Sequence, residues 1–75
     1  MSFDETRFRN VVIRGLRIQA EQYRADLKIG DIDEWDSVAH LDLLSEVEAE
    51  FGLRFSLDEM SELTSLDAIR HRLAA

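Results

Sequence analysis

The sequence contains no cysteine, no proline and only three glycines. Without cysteine the chain has neither a disulfide bond nor a thiolate nucleophile, so its stability must come from packing, and thiol chemistry would need an attached group. Proline and glycine are the residues that most often interrupt helices, and their scarcity allows helix through most of the chain. No pair of segments has the pattern of paired strands. These absences predict an all-α protein.

Basic residues are scarce as well: 9 Lys and Arg stand against 16 Asp and Glu, for a net charge of −7. This balance argues against nucleic acid as a partner, because phosphates repel an acidic surface, and it favours basic protein surfaces instead. No apolar run is long enough to span a bilayer, so no membrane association is expected. The first residues, Met1 to Glu5, carry acids where a secretory leader has basic residues, and a cytoplasmic location is therefore expected.

The length of 75 residues predicts a single domain over residues 1–75 with one modest core, and the protein is expected to be a monomer.

A first helix is predicted to begin after Ser2 or Asp4. Its apolar face repeats at helical spacing and consists of Phe8, Val12 and Leu16, with Ala20 and Tyr23 as possible continuations. From about Arg17 to Asp36 the pattern weakens, which predicts a long loop; the alternative is a helix that continues to Ala25.

The second helix is predicted over residues 37–51, and Gly52 follows as a left-handed C-cap. Its apolar stripe has members three or four residues apart: Val38, Leu41, Leu44, Val47 and Phe51. Asp42, Glu46 and Glu50 recur every four residues on the opposite side and predict a continuous acidic stripe facing solvent. The stripe is either an ordinary solvated face or a recognition surface.

Two capping signatures mark the last helices. Ser56 to Glu59 reads as a capping box and predicts a short third helix over residues 57–62. A second signature begins at Thr64 and predicts a final helix that buries Leu66, Ile69 and Leu73. The expected architecture is a small antiparallel four-helix bundle with a long first loop and a short third helix.

Ser37 is the candidate functional residue, at the point where an acidic loop becomes the second helix. A serine there is often an N-cap, and Asp36 beside it is another candidate cap. No nucleophile elbow surrounds Ser37, and His40 lies only three residues away in the same helix, which argues against a catalytic serine. A hydroxyl in this setting suits modification by another enzyme, and the protein is not expected to be an enzyme itself.

The segment around Ser37 resembles the phosphopantetheine attachment segment of acyl carrier proteins. The resemblance rests on Asp36-Ser37-Val38, on Leu41, Leu44 and Glu48, and on Phe51-Gly52-Leu53. It extends to the helix order and the length of the chain. Val38 replaces the usual leucine, and Glu34-Trp35 replaces the common residues before the Asp-Ser pair; this variant looks like free-standing carriers of specialised biosynthesis.

The resemblance implies that 4'-phosphopantetheine, taken from coenzyme A by a phosphopantetheinyl transferase, is attached to Ser37. An acyl group would then be carried as a thioester and presented to a ligase, acyltransferase or synthase. The partner contacts that it implies are Asp36, Val38, Asp42 and Glu48, and Glu46 joins them by its place in the acidic stripe. It also suggests that the core opens for an acyl chain near Leu44, Val47 and Ile69, although ordinary core packing is the simpler interpretation.

Alternatives remain open. An aminoacyl or peptidyl carrier would have the same features, because the cargo contacts the arm more than the protein. A non-catalytic acidic helical adaptor would share the acidic helix and treat Ser37 as dispensable. No metal site is expected: Asp31 to Asp33 begins like a calcium loop, but Trp35 and Asp36 occupy positions that need a ligand and a glycine.

Overall fold

The computed structural model describes residues 3–74. It contains four α-helices and one short 3₁₀ helix: α1 (Glu5–Leu16), the 3₁₀ turn (Ala20–Gln22), α2 (Ser37–Phe51), α3 (Leu57–Glu62) and α4 (Leu66–Ala74). Within the described residues there is no strand, and Lys28 and Ser65 form one isolated bridge. The predicted all-helical class is confirmed, as are the bounds of the second and third helices.

The first helix begins at Glu5 because Asp4 is its N-cap, whose carboxylate accepts from the amide of Arg7 at 3.0 Å. Of the two predicted starts, the one after Asp4 is therefore correct, and Ser2 lies outside the described residues. The helix ends at Leu16, and Arg17 follows in the left-handed conformation with φ 56°. The alternative extension to Ala25 is wrong, since the chain reverses at Arg17.

The long loop between α1 and α2 is ordered by its own hydrogen bonds. Ile29 donates its amide to the carbonyl of Thr64 at 2.9 Å, and Leu66 donates to Leu27 at 2.9 Å, so the loop is fastened to the start of α4. Trp35 closes a turn by accepting from the amide of Gly30 at 3.0 Å. These bonds satisfy backbone groups that a loose loop would leave to solvent.

The core lies between α1, α2, α4 and the loop. Its largest fully buried side chains are Trp35, Phe8, Leu27, Leu43, Leu44, Leu66, Ile69, Val11, Val12 and Val47. Helices α1 and α2 approach closely at Gly15: a Cβ built there would lie 3.1 Å from the Cα of Leu43. Glycine thus permits a contact that any side chain would force apart.

The predicted apolar stripe of α2 needs a correction. Val38 and Leu41 are 72% and 56% exposed, and the buried residues of the helix are instead His40, Leu43, Leu44 and Val47. The sequence Leu41 to Leu44 is compatible with two orientations of α2 about its axis, one that buries Leu41 and one that buries Leu43. The structure has the second, because Trp35 in the preceding loop binds His40 and holds it on the buried side of the helix. The stripe predicted for α4 is confirmed at Leu66 and Ile69, which are fully buried.

Candidate functional site

Ser37 is the first residue of α2, and its side chain is exposed. The capping role falls to Asp36, whose Oδ1 accepts a hydrogen bond from the amide of Ala39 at 2.8 Å. The hydroxyl of Ser37 has no hydrogen-bond partner within residues 3–74. Capping thus explains Asp36 and leaves the Ser37 hydroxyl available for chemistry.

Three other serines are structurally engaged. Ser56 and Ser65 cap α3 and α4 through their hydroxyls, and the Ser61 hydroxyl donates to the carbonyl of Asp58 at 2.9 Å. Ser45 is exposed like Ser37 but lies in the middle of α2. Ser37 is therefore distinguished by its place at a helix start beside an exposed loop.

His40 is turned away from Ser37 and into the protein. Its Nδ1 accepts from the indole Nε1 of Trp35 at 3.1 Å, and its Nε2 lies 2.9 Å from the carbonyl oxygen of Met60. Trp35 can only donate and the carbonyl can only accept, so these partners define the neutral tautomer with the proton on Nε2. Both ring nitrogens are occupied, and His40 is not placed to act as a base for Ser37.

From the sequence alone His40 reads as an ordinary polar position of the helix, and this interpretation is wrong: the residue is only 6% exposed. The sequence allows two positions for Trp35, a staple packed on the core or an exposed contact for partners. The structure buries it completely, which confirms the staple. The pairing of the two rings at 5.9 Å has a sequence signal only in their spacing of five residues.

Ser37 lines a surface cleft of about 470 Å³, which we call the Ser37 cleft. Its other lining residues are Ile29, Gly30, Ile32, Asp33, Asp36 and the buried Trp35. Ile29 and Ile32 are half-buried members of the core periphery, so the lining combines apolar and acidic residues.

The acidic stripe of α2 is only partly a free surface. Asp42 is exposed, but Arg14 donates to Glu46 at 2.8 Å and to Glu50 at 3.2 Å, and Arg7 donates to Glu50 at 2.6 Å. The three acids lie on the surface side of α2 as predicted, but Glu46 and Glu50, with side chains 40% and 28% exposed, are paired with the arginines of α1. Hydrogen bonds from Arg7 and then Arg14 hold the pKa of Glu50 below its usual range.

The other residues predicted to contact partner proteins lie in different surroundings. Glu48 is half-buried, and its carboxylate accepts from the amide of Phe55 at 2.7 Å, which fixes the turn after α2. Val38 is exposed next to Ser37, and Leu41 is exposed one turn further on. The structure thus leaves Asp36 and Val38 accessible on either side of Ser37, and Asp42 exposed further along α2, where it lines a second cleft with Asp36 and Val38. It places Glu46 and Glu48 in intramolecular contacts.

In the part of the chain that the structure describes, no group of three or more His, Cys, Asp or Glu side chains is arranged to hold a metal ion. Over the same residues no helix is both long enough and apolar enough to cross a membrane. No protein-family model matches the sequence, and no curated protein is significantly similar to it. The chemistry of Ser37 and its surroundings therefore carries the functional argument.

Proposed function

We propose that the chain is a cytoplasmic carrier protein, an acyl-carrier-like four-helix bundle over residues 1–75 in which Ser37 is the attachment point for 4'-phosphopantetheine. The observation that carries the proposal is that Asp36 and Ser37 have different roles at the start of α2. Asp36 caps the helix, and the neighbouring Ser37 hydroxyl is exposed and without a hydrogen-bond partner among residues 3–74. A hydroxyl with no structural role in an exposed, acidic setting suits a transferase that brings its own catalytic groups.

The residues around Ser37 fit such a group. The serine is on the first turn, where the amides at the N-terminus of α2 and the helix dipole favour a phosphate. Asp36 opposes that charge, but its carboxylate is directed to the amide of Ala39. Space for the arm is present, because the Ser37 cleft opens directly beside the attachment atom. The attached thiol would supply thioester chemistry that the cysteine-free chain lacks.

The chain itself would contribute attachment and recognition, not catalysis. With both nitrogens of His40 occupied, the Ser37 proton would leave to a base of the transferase. The Ser37 oxygen would form a bond to the phosphorus of phosphopantetheine as the pyrophosphate bond of coenzyme A breaks and adenosine 3',5'-bisphosphate leaves. Asp36, Val38 and Asp42 would contact the transferase and the ligase, acyltransferase or synthase that use the carrier. Glu46 and Glu48 remain part of the proposed contact set, and they would act while held by Arg14 and by the Phe55 amide.

The test is the intact mass of the protein after incubation with coenzyme A and a broad-specificity phosphopantetheinyl transferase. The wild type should gain one phosphopantetheine, and Ser37→Ala should gain none. Ser45→Ala is the matched control, because it removes an exposed hydroxyl from the same helix, and it should be modified like the wild type. If several transferases leave the folded wild type unmodified, the carrier proposal fails and the acidic adaptor becomes the better interpretation.

A further inference from the structure

We infer that the Ser37 cleft holds the acyl group of the loaded carrier, and that it favours neutral or cationic groups over carboxylate-bearing ones. This inference rests on the proposed attachment at Ser37. It adds a binding site outside the helical core and a chemical class of cargo.

The position of the cleft brings it within reach of the cargo. Ser37 lines it, so an acyl group at the far end of the flexible arm can fold back to the cleft at a high effective concentration. Backbone hydrogen bonds hold the walls in place without a ligand. The amide of Ile29 donates to the carbonyl of Thr64 at 2.9 Å, and the amide of Gly30 donates to the carbonyl of Trp35 at 3.0 Å. Ile29 and Ile32 supply apolar surface. A preformed apolar cleft binds without an ordering cost for the protein.

Gly30 lines the cleft with backbone alone. It has φ 90°, a conformation that favours glycine, and a Cβ built there would meet no atom within 4 Å. At this point the lining therefore has no side chain. Neighbouring Asp31 is directed away, since its carboxylate accepts from the amide of Lys28 at 3.0 Å.

The interior of the protein is the competing site, and it is closed. Leu44, Val47 and Ile69 are all fully buried. None of the three surface clefts, of about 470, 300 and 290 Å³, is lined by any of them. To enter the core, an acyl group would have to separate side chains that are already packed together. Entering the Ser37 cleft requires no such separation.

Charge then selects the class of cargo. Asp33 and Asp36 line the cleft, and no lysine or arginine within the described residues lines it. A carboxylate on the cargo would be repelled by the charge of these acids, chiefly by Asp33 because Asp36 caps α2, whereas an amine would be attracted. For charges near the surface, we expect discrimination of about two- to fivefold between the two.

The test uses nuclear magnetic resonance of the ¹⁵N-labelled protein. The chain is loaded from coenzyme A analogues that carry propanoyl, β-alanyl or malonyl groups in amide linkage, which prevents hydrolysis. The protein with the unacylated arm is the reference. These groups share a three-carbon acyl chain and differ mainly in their charge, which is neutral, positive or negative. Loading is verified by intact mass before any spectrum is recorded.

Propanoyl and β-alanyl should shift the amide signals of Ile29, Gly30 and Ile32, and malonyl should shift them about two- to fivefold less. Asp33→Asn should reduce the difference between β-alanyl and malonyl. Asp58→Asn is the matched control: it removes an exposed carboxylate of α3 that does not line the cleft, and it should leave the difference unchanged.

The two proposals fail in different ways. Absence of a mass gain overturns the attachment at Ser37 and this inference with it. If loading is normal but the shifted signals belong to Leu44, Val47 and Ile69, the acyl group binds in the core and the inference about the cleft fails. The inference also fails if the shifts are confined to residues 36–38. Both results leave the carrier function intact. Equal shifts for the three groups would overturn the charge selection.

Discussion

The indole Nε1 of Trp35 donates a hydrogen bond to the Nδ1 of His40 across 3.1 Å, inside the core. The opposite nitrogen of the same ring lies 2.9 Å from the carbonyl of Met60. One imidazole therefore connects the loop before α2, the helix α2 and the end of α3. No buried side-chain polar atom in the described part of the chain lacks a partner, so this connection is fully satisfied.

Trp35→Phe is expected to lower the free energy of unfolding by about 2 to 4 kcal/mol, since it removes the donor from His40 and leaves space where the larger ring packed. His40→Leu should also destabilise, because Trp35 and the Met60 carbonyl lose their partner. In urea unfolding, the variant with both substitutions should lose less free energy of unfolding than the two single variants lose together. Strictly additive losses would show that the two residues are not coupled.

Asp42→Asn is expected to slow phosphopantetheine transfer by about threefold or more, because Asp42 is an exposed acid of the helix that begins with Ser37 and would attract a basic transferase. Glu46→Gln should have a smaller effect, since Arg14 already neutralises Glu46. Glu5→Gln, at the start of α1, is the control and should leave the rate unchanged. The initial rate at low salt measures the effect, and equal rates for all variants would remove Asp42 from the contact surface.

Arg17→Gly is expected to stabilise the protein by about 0.5 to 1 kcal/mol, because Arg17 has φ 56° and glycine adopts this conformation without strain. Gly52→Ala should destabilise it by about 1 kcal/mol, since Gly52 has φ 66° as the C-cap of α2. Arg17→Gln is the control, which removes the charge and keeps a side chain at this position. If it stabilises as much as glycine does, charge and not backbone strain is the cause.

The stability of the protein should fall as the pH drops below about 4.5, the ordinary pKa of a glutamate, in part through Glu50. Arg7 and Arg14 lower the pKa of Glu50 in the folded state, so the unfolded state binds its proton more readily, and stability is lost as the pH falls. Glu50→Gln should flatten this pH dependence in urea unfolding between pH 6 and pH 3.5. Glu62→Gln, an exposed position of α3, should not.

Local signals predicted much of the fold correctly. The Ser56 capping box sets the start of α3, and Gly52 ends α2, because both act within a few residues. The end of α1 had no such signal, since arginine is not a usual residue for the left-handed position. The rotation of α2 could not be read from spacing, because it depends on Trp35 and Met60, contacts that the helix alone does not encode.

The candidate site was likewise predictable only where the signal lies within a few residues. Ser37 was identifiable from its neighbours in the sequence, and the choice between Asp36 and Ser37 as the cap needed the hydrogen bond to Ala39. The pairing of Glu46 and Glu50 with arginines was not foreseeable from α2 alone, because Arg7 and Arg14 are more than thirty residues away in sequence. The Ser37 cleft depends on the folded loop and has no signature in the sequence.

The arginines of α1 also make the charge of the molecule uneven. They offset acids along the C-terminal half of α2, whereas no salt bridge among residues 3–74 involves Asp33, Asp36 or Asp42 near Ser37. Asp33, Asp36 and Asp42 are all exposed, so these carboxylates act on their surroundings without a cation in direct contact. A basic surface that approaches α2 at its N-terminal end would be attracted by them over distances up to the Debye length of about 8 Å at physiological salt.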